Sequence, residues 1–213
     1  NAANTETTGY EEEKLLFLSQ DVKESRNKKN SFQVETFNYK SARPGNLKYT
    51  NRILDCAILG DGYFKILTPQ GPRYTLNGIM LINAENVLVN TDGFPFASND
   101  GQIIVLPEER QHIEITPEGA INVDGGAIAM IGVFTFTNKN NLIKEGYGLS
   151  YSIEGDMLAE NYSVVSGALR ASNVNPTMIM TELVHVQRSY SNVTTLMNSI
   201  GELERNAITK IVR

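Results

Sequence analysis

The chain has no tryptophan, two histidines and one cysteine among its 213 residues, and each shortage excludes something. A lone cysteine forms no internal disulfide. Cys56 lies in the run Leu54-Asp55-Cys56-Ala57-Ile58-Leu59, where a small buried hydrophobe is the plain reading. His112 stands beside the charged turn Glu108-Glu109-Arg110 and His185 inside a helical pattern, places that serve surface or packing roles more often than catalysis. There are no Cys-x-x-Cys pairs and no Gly-x-Ser-x-Gly elbow. Gly60-Asp61-Gly62 lacks the following helix and basic residue of a phosphate-cradling loop, and Asn99-Asp100-Gly101 runs into Gln102-Ile103-Ile104-Val105 where a calcium loop needs further oxygen ligands. No catalytic residue, metal or cofactor is expected on these grounds. No apolar run approaches the eighteen residues of a membrane-spanning helix, and no basic leader with an apolar segment is present. Basic blocks are missing too. With 19 Lys and Arg against 24 Asp and Glu, the net charge is −5, which argues for protein partners and against nucleic acid.

What is present begins at the far end. From Pro176 onward the chain contains no further proline and only one glycine, Gly201. Apolar residues recur at Ile179, Leu183, Val186, Tyr190, Val193, Met197, Ile200, Ala207 and Ile211 in steps of three and four, with Glu204 interrupting the series. Asn173 or Asn175 is suited to cap the start, and Pro176 to occupy the first turn, where its missing N–H costs nothing. The pattern predicts a helix from Pro176 to about Lys210, roughly 50 Å long at 1.5 Å per residue. Its stripe serves either packing across its own domain or a partner helix.

Residues 51–163 differ in texture. Short β-branched and aromatic runs are broken by glycine turns such as Asn77-Gly78, Asp92-Gly93, Glu118-Gly119 and Asp124-Gly125-Gly126, which reads as an antiparallel β domain. Expected strands are Tyr63–Leu67, Tyr74–Thr75, Val87–Val89, Ile103–Leu106, Ile113–Ile115, Ala120–Val123 and Ile131–Phe136. Residues 1–50 read as a polar arm and linker in which Glu11 to Asp21 is open between helix and coil, and residues 164–213 as the helix with its lead-in. The fold class is thus mainly β with a long terminal helix. A seam-bearing helix with no helical partner downstream places that partner before residue 1 or in another molecule.

Several separated segments resemble the axial proteins of the bacterial flagellum, the rod, hook and hook-associated subunits. Asn1-Ala2-Ala3-Asn4-Thr5-Glu6-Thr7-Thr8-Gly9-Tyr10 is similar to that family's N-terminal signature, which follows an initial helix of some twenty residues. Leu54 to Phe64 resembles the start of its β domain, and Tyr74-Thr75-Leu76-Asn77-Gly78 and Thr91-Asp92-Gly93-Phe94-Pro95 resemble two further signatures. Gly167 to Pro176 is similar to the segment before the final helix. Four positions depart from the pattern: Cys56 replaces valine, Leu76 arginine, Asn86 glycine and Arg170 glutamate. Asn86 tolerates the left-handed conformation glycine would adopt. Leu76 and Arg170 would alter contacts if the usual pair reaches neighbouring subunits.

The resemblance implies a structural, non-enzymatic subunit that assembles helically into the hollow driveshaft used for motility, with terminal helices as a coiled-coil inner layer. It implies partners in itself and other rod subunits, passage through the flagellar export apparatus, and residence in the periplasm-spanning rod. No membrane insertion or nucleic acid is implied. Length fits the shorter rod subunits, proximal before distal rod or hook. The assembly residues expected are Asn4, Thr8, Gly9, Tyr10, Ser172, Asn173, Val174, Asn175 and Pro176 around the two signatures, and Leu183, Val186, Tyr190, Val193, Met197 and Ile200 along the seam. The rivals are a secreted β-rich hydrolase using paired carboxylates and a binding module on a coiled-coil stalk.

Overall fold

In a computed structural model the described residues are 1–21, 32–40, 44–138, 141–146 and 148–211. A 3-10 turn at Ala2–Asn4 opens the chain, followed by β1 (Glu13–Asp21), β2 (Phe32–Lys40) and β3 (Leu47–Tyr49). Next come β4 (Cys56–Gly60), β5 (Tyr63–Thr68), β6 (Gly71–Thr75), β7 (Leu81–Ile82) and β8 (Leu88–Val89). They are followed by β9 (Ile113–Ile115), β10 (Ala120–Val123), β11 (Gly126–Met130) and β12 (Val133–Thr135). The last strands are β13 (Leu142–Gly146), β14 (Leu149–Ser152), β15 (Met157–Leu158), β16 (Tyr162–Ser166) and β17 (Ala168–Arg170). The helix α1 (Pro176–Ile211) has 36 residues, about 54 Å at 1.5 Å per residue.

All named strand pairs among the described residues are antiparallel. A six-stranded sheet in the order β13-β14-β6-β5-β12-β15 stands with the three-stranded sheet β11-β10-β9. Pairs β4–β16 and β3–β17 bring the strands that lead into the helix back onto the start of the body. Burial follows the period of two: along β5, Phe64 and Ile66 are buried while Tyr63, Lys65 and Leu67 are less so. Phe64 meets Phe96 edge to face at 5.9 Å, at the centre of a core with Ile58, Met80, Leu88 and Ile131. Cys56 is wholly buried there, and burial together with Asp55 pushes its thiol up to about 12.

Two turn positions explain residue choice. Asn86 has φ +60, the left-handed conformation expected of it, and its carboxamide oxygen accepts a 2.8 Å bond from Arg110. Gly78 passes so close to Cys56 that a side chain would land on the Cys56 carbonyl oxygen.

Two expectations need correction. Glu13–Asp21, left between helix and coil, is a strand that pairs with Phe32–Lys40 without a register slip, Glu13 opposite Lys40 through Asp21 opposite Phe32. Its ladder partner contains Phe32, Val34, Thr36, Phe37 and Tyr39, all good strand formers, and pairing settles a segment whose own pattern is ambiguous. Ile103–Leu106 forms no ladder among the described residues. Ile104 and Leu106 are buried and Ile103 and Val105 exposed, as a strand requires, but only single bridges to Ala97 and Val87 hold it.

Candidate assembly surface

The residues named from the sequence fall into two groups, one folded into a clamp and one left bare. The clamp joins the two chain segments that carry the terminal signatures. Gly9 N–H donates to the Arg170 carbonyl at 2.7 Å, Asn173 N–H to the Tyr10 carbonyl at 3.3 Å, and Glu12 N–H to the Asn173 side-chain oxygen at 2.6 Å. Gly9 is required by two constraints. Its φ is +72, and an added Cβ would stand 2.5 Å from the Leu76 carbonyl carbon. Asn4 accepts a 3.1 Å bond from the Thr7 hydroxyl, and Thr8 sits half-buried ahead of Gly9.

Tyr10 is held from both sides. Its hydroxyl donates to Asn1 at 3.1 Å, and the Lys144 ammonium lies 4.5 Å from the ring centroid while also donating to the Glu11 carbonyl at 2.8 Å. Burial first, then the Glu13 carboxylate, holds the Tyr10 phenol above its ordinary range. Lys144 in turn pairs with Glu13 at 3.0 Å, so β13 is tied to the segment that leads into β1. Leu76 and Arg170, two of the departures from the family pattern, are both buried, and it is their main-chain atoms that meet Gly9. Both side chains are thus covered within the subunit.

The clamp aims the helix. Ser172 accepts a bond from Val174 N–H at 3.3 Å, and Val174 is buried. Of the two candidate caps, Asn175 is the one used: its side-chain oxygen accepts from Thr177 N–H at 3.0 Å and Met178 N–H at 3.3 Å. Asn173, two residues earlier, is spent on the clamp. Pro176 is the first helical residue and is exposed. An open cleft of about 460 Å³ lies at this base, between Gly45 and Asn46 on one side and Ser172 to Pro176 on the other.

Beyond it the helix leaves the body. Every residue from Met180 to Ile200 is exposed. Leu183, Val186, Tyr190, Val193, Met197 and Ile200 present one continuous stripe, with Val186 67%, Tyr190 76% and Met197 69% accessible. The sequence reading missed Met180, Val184, Leu196 and Leu203, which lie off the seam yet are equally bare. Counting the positions that flank the three-and-four series would have found them.

Two family models match the chain. Residues 57–123 match the Flagellar hook protein FlgE/F/G D1 domain, and residues 165–210 match the Flagellar basal body rod FlgEFG protein C-terminal. The chain belongs to the flagellar hook and basal-body rod protein family. The matched segments are the start of the β body and the exposed helix with its lead-in. Among its relatives, the flagellar basal-body rod protein FlgF of Caulobacter vibrioides is 27% identical, over 99% of this chain and 89% of its own length. FlgF of Rhizobium meliloti is 29% identical over 96% and 86%, and the flagellar basal-body rod protein FlgG of Bacillus subtilis 28% over 95% and 88%. The chain is a structural subunit of the flagellar basal-body rod and works among other rod and hook subunits.

Proposed function

We propose that α1 is the assembly device of this subunit and that the clamp at its base sets the angle at which it meets the next molecule. The observation that supports this is the bare seam from Leu183 to Ile200 on a 36-residue helix. A helix polar all round would survive in solvent without a partner; one striped with leucine, valine, methionine and tyrosine gains by covering the stripe. Burying a side chain of this size is worth about 1.5–3 kcal/mol, so six supply several kcal/mol per subunit after ordering costs are subtracted. The partner is a helix, from a segment preceding Asn1 or from a neighbouring subunit, because the three-and-four spacing fits a coiled-coil groove.

In this reading the chain has three working parts: residues 1–50 as arm and linker, 51–163 as the outer β domain and 164–213 as the coiled-coil inner element. Asn4, Thr8, Gly9 and Tyr10 contribute by holding the Ser172 to Pro176 lead-in, and the seam makes the contact. The subunit takes a proximal-rod position in the periplasm-spanning part of the axis and reaches it through the flagellar export apparatus. It carries no enzymatic role. Its acidic balance fits protein partners, and it neither binds nucleic acid nor inserts into membrane.

The test replaces Val193 and Met197 by aspartate in the full-length gene product. The β body should unfold at an unchanged temperature, since neither residue touches it, while incorporation into isolated basal bodies and swimming are lost. Normal incorporation of the doubly substituted subunit would sink the seam assignment.

A further inference from the structure

Sulfur chemistry in this chain is divided between a shielded thiol and open thioethers. Cys56, the single cysteine, is wholly buried. Of the six methionines, Met80 is fully buried, while Met157 on the edge strand β15 is 49% accessible. The helix carries three more, Met178, Met180 and Met197, at 54%, 63% and 69%. An oxidant that reaches the folded subunit therefore meets thioether before thiol, and a thioether needs no deprotonation to react. Met197 differs from the other exposed three by its register. It shares one core position of the heptad frame with Leu183 and Tyr190, and the other core position, at Val193 and Ile200, flanks it on both sides. Met178 and Met180 fall off that frame.

Resting on the seam reading above, we propose that Met197 is an oxidation site whose state decides whether a free subunit can join. The reagent is a hydroperoxide. The thioether sulfur attacks the terminal peroxide oxygen, an S–O bond forms as the O–O bond breaks, and the proton of the attacked oxygen passes to the departing one. With hydrogen peroxide the products are the sulfoxide and water; sulfur loses two electrons and the peroxide gains them. A flexible apolar side chain becomes a polar one with a strong acceptor. In the free subunit solvent serves that acceptor. Under a partner helix it needs a donor, and the hydroxyls on the same turns are already committed. Thr194 donates to the Tyr190 carbonyl at 2.9 Å, Thr195 to the Ser191 carbonyl at 2.9 Å and Ser199 to the Thr195 carbonyl at 3.0 Å. Covering the sulfoxide therefore leaves a buried acceptor unpaired, which opposes the contact. The same contact hides an unoxidised Met197, so joined subunits keep the thioether. Methionine sulfoxide reductases reverse the change and return a subunit to the competent pool.

Peptide mass spectrometry on the full-length gene product reads the site directly. In the purified subunit under hydrogen peroxide, Met197 should convert about as fast as Met157, and Met80 about tenfold more slowly. A Met197 as slow as Met80 overturns the proposal. In cells without methionine sulfoxide reductase, given hydrogen peroxide while the subunit is being made, the Met197 sulfoxide fraction should be about tenfold lower in isolated basal bodies than in unincorporated subunits. The Met157 fraction should be the same in both pools. Equal Met197 fractions in the two pools overturn the proposal. Variants supply a second arm, each scored against its own untreated incorporation. Peroxide should cut incorporation of the parent and of Met157→Leu about fivefold and leave that of Met197→Leu close to its untreated level. Equal loss in all three overturns the proposal. Peroxide added to finished basal bodies separates this from the reading beneath it: Met197 should convert about tenfold more slowly there than in the free subunit. Equal rates would mean that the seam lies open in the rod, and the seam reading falls together with the proposal that rests on it.

Discussion

The β body and the terminal helix spend similar side chains in opposite ways. In the body, Phe64, Phe96, Ile66 and Leu88 lose all contact with water inside the chain itself, and the edge-to-face pair at its centre is complete in one subunit. Along the helix, residues of the same type are left in solvent with no element of the described chain beneath them. The body is a finished core; the helix keeps its apolar stripe open to solvent. On the assembly reading proposed above, stability of the fold and the capacity to assemble are written into separate stretches of sequence, and a substitution in one should leave the other untouched.

The sharpest way to break that contrast is a matched pair of truncations. Phe64→Ala removes a fully buried ring from the body and should lower unfolding free energy by about 3–5 kcal/mol in urea titration. Tyr190→Ala removes an exposed ring from the helix and should stay within about 0.5 kcal/mol in the same titration. A large loss from Tyr190→Ala would show that the helix packs on its own body in solution, and the two-part picture would fail.

Between the two regions stands the clamp, and Gly9 tests how firmly it joins them. Gly9→Ala forces a side chain into a left-handed backbone and against Leu76, at a local cost of roughly 1–3 kcal/mol. Hydrogen exchange should quicken at the amides of position 9 and Glu12, whose acceptors are Arg170 and Asn173, while core amides such as Phe96 keep their protection. Equal quickening throughout would mean that clamp and body open as one unit.

How much of this was legible depends on how local each cause is. The helix was readable because its start, cap and stripe lie in consecutive residues, and Pro176 is where the sequence places it. The choice of Asn175 over Asn173 as cap was not, because it turns on Glu12, which lies 161 residues away from Asn173. Strands with strict alternation, Tyr63–Thr68 and Ala120–Val123, were found within a residue. Those held by distant partners, such as Ala168–Arg170 against Leu47–Tyr49, carry no such signal in their own three residues. Of the expected assembly residues, the structure places Leu183 to Ile200 on one open face and ties Gly9, Tyr10 and Asn173 into contacts inside the chain. In the sequence the first group stood out as signatures and the second as a periodic stripe, and both were expected to assemble; only the hydrogen bonds separate holding a helix from offering one.

The smallest expected effect lies on the outer sheet, where Arg73 of β6 reaches across β14 to Glu145 of β13. The guanidinium makes two bonds to that carboxylate, the second at 3.1 Å, and stacks 5.4 Å from the Tyr151 ring centroid. Hydrogen bonding to Arg73 holds the Glu145 carboxyl below its ordinary range. A carboxyl depressed in the folded state adds stability above its unfolded pKa and loses it as pH falls through the lower folded value. Glu145→Gln should therefore lower the melting temperature slightly in the neutral region and converge on the parent as pH falls through the folded value, which flattens the acid limb. Because the carboxylate is solvent-exposed, raising salt should shrink even that difference. The same profile in Asp-substituted Val193 and Met197 chains should match the parent at every pH, since both side chains are exposed on the helix. A seam substitution that shifted the acid limb as Glu145→Gln does would place the helix on the outer sheet, and the division between finished core and open helix would have to be redrawn.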